Sequence, residues 1–394
     1  MKYDFEHVIN REKLNATKWL MMREAKPDVA EDIVPLSVAD MDMPNAPEIT
    51  KGLADYISNG LVLGYTRASK SYYRAVAGWM RERHGWEIEE DWIVQTPGVV
   101  PAFYEAVRAF TKEGEGVLLL TPVYYPFYGA VRDNGRVLVE CPLVREDGKY
   151  TIDFQDLEAK AADPNTKLLI LCSPHNPVGR VWTREELERI GTICNENGVL
   201  VVSDEIHFDL VMPGHKHTVY ASISQEFAQN CLVLTAPSKT FNLAGLQTSN
   251  ALIPNPELRQ RFREQLLKGA FFGCNMLGNK ACEIAYTQCG GWADALVELV
   301  YNNYLAAKEY LAKELPEVTV YPLEGTYLMW MDFSCLKMEP KELERFMREE
   351  AQVFLDEGYV FGKIAEGFER MNIACPTKVM MDALRRIAGC LKNR

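Results

Sequence analysis

Leu234-Thr-Ala-Pro-Ser-Lys-Thr-Phe-Asn-Leu-Ala-Gly245 is the stretch on which the reading of this chain turns. An apolar run, Cys231 to Leu234, reads as a buried strand; it stops at Pro237, and Lys239 follows among polar and small neighbours. Apolar surroundings disfavour the charged form of a lysine and lower its pKa. A neutral amine is a nucleophile, and Schiff-base formation is the chemistry a desolvated lysine serves most directly. The plain alternative is a solvated lysine in a surface loop, and Ser238-Lys239 alone would favour it. The residues upstream decide against it.

Lys167 to Cys172 is another apolar strand, closing in the loop Ser173-Pro-His-Asn-Pro-Val-Gly179. Thr183 and Glu186 spell the T-x-x-E capping box that opens a helix, with Leu187, Ile190 and Cys194 on its buried face and Gly198 at its end. Val199 to Val202 is a further strand and runs into Ser203-Asp-Glu-Ile-His207. Near-continuous apolar strands joined through a helix predict a parallel sheet covered on both faces. Polar residues at the carboxyl ends of such strands share one crevice. Asn176, Asp204 and Lys239 are therefore expected to converge.

The rest of the chain fits around that α/β core. Residues 1–47 read as an arm with the extended piece Ile33-Val-Pro-Leu-Ser-Val-Ala-Asp40, 48–291 as the large domain, and 292–394 as a smaller C-terminal α/β domain entered by a long helix from Trp292 to Leu315. Thr96-Pro-Gly98 stands between a short strand and a helix bearing Val100, Phe103, Val107 and Phe110. A glycine turn before a helix N-terminus offers free backbone N–H groups to an anion, or merely makes the turn. Thr121-Pro-Val-Tyr-Tyr-Pro126 closes a strand with two tyrosines, as core or as a stacking surface. In the C-terminal part a helix is expected from Pro340 to near Gly358, and Gly367-Phe-Glu-Arg-Met-Asn-Ile373 alternates so that Arg370 and Asn372 share a face.

Composition sets outer limits. The 394 residues are 47% hydrophobic and 25% charged, as in ordinary soluble proteins, and are too many for one simple core. The formal charge of −12 argues against nucleic acid or an anionic membrane as the main partner, while leaving room for a local anion site. No run reaches the length of a membrane span. The ten cysteines include no C-x-x-C pair and sit in apolar or helical stretches, which suits a reducing cytoplasm. Several short motifs are set aside. Asp204-Glu-Ile-His207 lacks a phosphate loop, Ser334-Cys-Leu-Lys337 lacks the companion motifs of its hydrolase class, and no dinucleotide fingerprint follows a strand. His215-Lys-His217 reads as exposed polar surface in a Pro/Gly loop, with no metal site.

Asn-Pro-x-Gly, an Asp 28 residues after the Asn, Ser-Lys 35 residues further and a C-terminal Arg together resemble the fold-type-I enzymes that use pyridoxal 5′-phosphate (PLP), the aspartate aminotransferase superfamily. Within it the chain is similar to carbon–sulfur lyases of the cystathionine β-lyase and cysteine desulfhydrase type. The likeness runs through Val34–Asp40, Leu63–Thr66, Thr121–Phe127, Cys172–Trp182, Ser203–Leu210, Ala236–Asn242 and Gly367–Asn372. It implies a large domain with a mostly parallel sheet plus a smaller C-terminal domain. It also implies that Lys239 binds PLP covalently and then serves as the base at Cα, that Asp204 pairs with the ring nitrogen, and that Asn176 bonds the ring hydroxyl oxygen. His207 would lie near that oxygen or under the site as a structural residue. Tyr124 would stack on the ring and assist proton transfer, with Tyr125 beside it. Gly98, Val99 and Ser238 would hold the phosphate, and Tyr65 would reach the phosphate of a neighbouring subunit in a homodimer. Arg370 would clamp the substrate carboxylate, in a pocket also lined by Val38, Ala39 and Asn176. Gln247 and Ala236 depart from the arginine and serine common in aminotransferases, and Phe271–Gly278 matches poorly, which leaves the substrate range open. The implied reaction is β-elimination of thiol from L-cystathionine- or L-cysteine-type amino acids. An aminotransferase of the same fold and a PLP-binding regulatory protein are the alternatives.

Overall fold

The computed structural model describes residues 3–393; residues 1, 2 and 394, at the outer edges of the first and last expected domains, lie outside the described residues. Its strands are β1 (Ile93–Thr96), β2 (Gly116–Thr121), β3 (Val137–Pro142), the hairpin β4 (Val144–Glu146) and β5 (Lys149–Thr151), β6 (Thr166–Cys172), β7 (Leu200–Asp204), β8 (Cys231–Thr235) and β9 (Ser249–Leu252), followed by β10 (Thr319–Val320), β11 (Leu328–Asp332), β12 (Asp356–Glu357) and β13 (Phe368–Asn372). The main sheet has the order β1-β9-β8-β7-β6-β2-β3. β9 runs against both neighbours, and the other pairings are parallel.

The two faces of this sheet bury alternate residues, which explains why its central strands read as unbroken apolar runs. Leu169, Leu171, Val201 and Val233 join one core with Leu187, Ile190 and Cys194 of the helix Arg184–Glu196. Leu168, Ile170, Val202, Leu232 and Leu234 join the other with Val99, Ala102, Phe103, Ala106 and Val107 of the helix Val99–Phe110. Each such Val, Leu, Ile or Phe side chain contributes roughly 1.5–3 kcal/mol on burial. The capping box at Thr183 forms with both of its hydrogen bonds. The register pairs Cys172 with Asp204 and Asp204 with Leu234, so three strand ends finish side by side.

The second sheet, β10-β11-β13-β12, is antiparallel throughout. Helices Gly290–Glu314 and Thr377–Lys392 pack on each other beside it. The N-terminal arm lies on this unit: Leu36 donates its N–H to the Phe354 carbonyl (2.9 Å) and accepts from the Asn372 N–H (2.8 Å).

Two expectations are corrected. The helix from Pro340 ends at Arg345 and passes into a π-helical turn, Phe346–Glu350. Gln352 then turns left-handed (φ 51°), and buried Val353, Phe354 and Leu355 lead into β12. His217 is buried rather than exposed, because its Nε2 meets the Glu205 carboxylate at 2.8 Å.

Candidate active site

Lys239 stands in the turn after β8, within a solvent-open cleft of about 770 Å³ at the carboxyl ends of the parallel strands. The turn is fixed from below. Thr240 donates to the Asp209 carboxylate (2.7 Å), which also takes the Trp79 indole N–H (3.0 Å) and meets His84 Nε2 (2.8 Å). Asn242, left-handed at φ 56°, clasps both the N–H and the carbonyl of Met41 at 3.0 Å. With its backbone held, the lysine extends into the cleft and donates from Nζ to the Ala39 carbonyl at 2.7 Å. Desolvation pushes its pKa down to about 8, against the pull of Asp40 and Asp204. A sizeable neutral fraction at neutral to mildly alkaline pH is what a nucleophile or base needs.

Asp204, the last residue of β7, is buried and lines the same cleft. Burial raises its carboxyl pKa to about 7, although the Ile206 N–H (3.1 Å) and Lys239 both favour the charged form. A carboxylate held this way gains most from a cationic partner. Asn176 and His207 complete this wall. His207 is buried with Nδ1 unpartnered, its ring edge-on to Tyr327, and burial holds its pKa well below the ordinary value. Tyr124 lines the cleft too, and burial raises its pKa as well. Tyr125 is adjacent, with ring centroids 5.1 Å apart, but half of it faces solvent.

Gly98, Val99 and Ser238 also line the cleft. Gly98 has φ 152° and ψ 159°, a conformation essentially confined to glycine, and caps the helix Val99–Phe110 with no side chain intervening. The first N–H groups of that helix have no intrahelical acceptor. Gln247 and Thr248 line the cleft as well; of the two, the sequence points only to Gln247.

Arg370 is almost wholly buried on β13 and reaches the cleft through Asn176, donating to its Oδ1 at 2.8 Å. Ala39 lines the cleft, and Val38 stands behind it, left-handed at φ 52°. Tyr65 is not brought to the cleft by its own chain. It is fully exposed and borders a separate groove with Leu63, Phe271 and Phe272. Tyr327 is absent from the sequence reading; its hydroxyl donates to the Ala39 carbonyl (2.9 Å) that also receives Lys239. Nothing local marks it. Among the described residues no group of three or more His, Cys, Asp or Glu is placed to hold a metal ion.

A lysine at a switch of strand direction, a buried carboxylate beside it, a glycine-capped helix start and a buried arginine define a class of lysine-centred amino-acid enzymes built on this α/β fold. The chain belongs to the aminotransferase class I and II family, which matches residues 31–387. It is 44% identical over 361 residues to the cystathionine beta-lyase PatB of Bacillus subtilis, covering 91% of this chain and 93% of that one. It is 31% identical to Protein MalY of Escherichia coli, over 95% of each. Among solved structures it superposes on cystalysin from Treponema denticola, which contains a pyridoxal 5′-phosphate cofactor, with a TM-score of 0.98, 47% identity and full coverage of both chains. The PLP-bound C-S lyase from Staphylococcus hominis gives 0.92 at 31% identity, covering 99% of this chain and 98% of that one.

Proposed function

We propose that this protein is a PLP-dependent carbon–sulfur β-lyase that releases thiol from L-cystathionine- or L-cysteine-type amino acids. Three features suit the cofactor. Gly98 leaves a bare helix start where an added Cβ would come 3.3 Å from Pro101 Cδ, which fits a phosphate. Among the described residues Asp204 is a buried carboxylate without a cationic partner in contact, which fits a protonated ring nitrogen. The Nδ1 of His207 and the Nε of Arg370 are buried without acceptors. When bound, PLP supplies an aldehyde carbon for an amine and a ring that accepts electrons.

The chain's own residues then have these roles. Gly98, Val99 and Ser238 hold the phosphate. Asp204 would keep the ring nitrogen protonated, and Asn176, His207 and Tyr124 would hold the ring. Arg370 takes the substrate carboxylate through paired charge-assisted hydrogen bonds, with Asn176, the Val38–Ala39 backbone and Tyr125 bordering that end. Lys239 would hold the cofactor at rest and would then be the base that removes the Cα proton of the substrate. Thiolate leaves Cβ with the bonding pair and is protonated to the thiol, and the unsaturated amine that remains takes up water to give pyruvate and ammonia. The observation that carries this reading is the placement of Lys239, its Nζ held by the Ala39 carbonyl, in one cleft with Asp204 and the glycine-capped helix start.

The proposal extends to a homodimer in which the partner subunit's Tyr65 reaches the phosphate. It is supported by the exposure of Val62, Leu63, Tyr65 and Phe272 on one side of the chain. A cytoplasmic setting is supported by ten free cysteines, most of them buried. The large-domain and small-domain division at 48–291 and 292–394, with the 1–47 arm, is offered in the same sense. The test is to supply L-cystathionine with no keto acid present. Steady release of pyruvate with stoichiometric thiol is expected. A single stoichiometric turnover that resumes only when a keto acid is added would make the enzyme an aminotransferase.

A further inference from the structure

Asp356 is the direct cross-strand partner of Arg370 in the β12–β13 pairing. Its Oδ2 accepts from the guanidinium at 2.5 Å and from the Val38 backbone N–H at 3.0 Å. The other end of the guanidinium donates to Asn176, and its central carbon lies 4.7 Å from the centre of the Phe361 ring. Among the described residues the guanidinium Nε has no acceptor and is buried. Buried donors rarely stay unpaired in a finished fold, so the free N–H marks where an anion arrives and Asp356 fixes the direction in which it points.

The same carboxylate oxygen anchors a strained turn. Val38 is β-branched and left-handed, a conformation such residues rarely adopt unless the surroundings impose it. Asn372 holds the turn from the other side, donating from Nδ2 to the carbonyls of Val38 (2.9 Å) and Asp40 (2.7 Å). Between them the Ala39 carbonyl receives Lys239 and Tyr327. One carboxylate therefore ties the arginine that reads the substrate to the turn that places the lysine.

We propose that Asp356 is a positioning residue for substrate recognition, aiming Arg370 at the substrate carboxylate and setting the Val38–Ala39 turn. The inference rests on the lyase reading above. It differs from simple charge neutralisation, in which removing the carboxylate would strengthen anion binding.

The test uses cofactor-loaded Asp356→Asn and Asp356→Ala, with two probes that have no leaving group on Cβ and differ only in the carboxylate, L-alanine and ethylamine. Binding is followed by the change in cofactor absorbance. Asp356→Ala is expected to weaken L-alanine about tenfold or more, the scale of one lost charge-assisted bond, and to leave ethylamine nearly unchanged. Asp356→Asn keeps an acceptor for both N–H groups and should fall between wild type and Asp356→Ala. The KM for L-cystathionine should rise in the same order and more than kcat falls. Unchanged or tighter L-alanine binding would overturn the proposal, as would equal losses for both probes. If Asp356→Ala does not fold, Asp356→Asn carries the test. Failure of the Asn variant to fold or to load cofactor would also overturn it, because Asp356 would then be holding the fold. A wild-type protein with no cofactor band would instead sink the lyase reading itself.

Discussion

Replacing Asp204 by Asn tests the central electrostatic claim without any turnover. In the cofactor-free chain the Asp204 pKa is raised by burial from 3.8 to about 7. The folded state thus binds this proton more tightly than the unfolded state. The stability linked to it is full below the unfolded value and is lost as pH rises through about 7. Between roughly pH 5 and pH 8 the unfolded chain is already ionised while the folded chain gives up its proton, which amounts to about two pK units, or about 2–3 kcal/mol. Asn carries no such dependence. Urea unfolding of the cofactor-free proteins at the two pH values should therefore show Asp204→Asn gaining on wild type by about 2–3 kcal/mol at the higher pH. In a Lys239→Ala background, where the amine no longer favours the carboxylate, the gain should be larger. Added PLP should reverse the ranking, because only the ionised carboxylate has a protonated ring nitrogen to meet. A wild-type-to-variant difference that is the same at both pH values would refute the reasoning, since Asp204 would then ionise in the fold as it does in water.

Gly98→Ala should destabilise the chain by about 1–3 kcal/mol, read as a drop in Tm, and should loosen PLP measurably by equilibrium dialysis, because the new Cβ strains the backbone that cradles the phosphate. Co-expressing Tyr65→Ala with Lys239→Ala should restore about a quarter of wild-type pyruvate release, since half of the dimers are mixed and each of those has one intact site. No restoration is expected if Tyr65 serves its own chain.

Strand ends are legible in a sequence because their signal is local. The apolar runs before Asn176, Asp204 and Lys239 each stop at polar residues, and the pairing of β6, β7 and β8 turns those three stops into one crevice. Gly98 is legible for the same reason, as a glycine between a strand and a helix. His217 is not. Its neighbours, Gly214, His215, Lys216 and Thr218, are those of a surface loop, and what buries it is Glu205 from the end of a different strand. Asp356 is hidden more deeply. Phe346, Met347, Val353 and Leu355 continue the apolar content of a helix and share one core, yet the chain leaves the helix between them through a π-helical turn and the left-handed Gln352. Tyr327 acts through the carbonyl of a residue 288 positions away.

The division has a physical cause. Groups that do chemistry must sit where regular structure ends, since a strand or helix interior uses up its backbone and packs its side chains. Their positions are therefore marked by the very break in pattern that exposes them. Groups that aim them are buried pairs, and a buried pair is defined only by its partner. Arg370 shows both sides at once. It is visible as a polar residue in an alternating strand, yet the direction of its guanidinium is set by Asn176, Asp356 and the ring of Phe361. Replacing one of those three should alter which amino acids bind well before it alters whether the chain folds. That is why substrate range, more than reaction class, escapes the sequence of this protein.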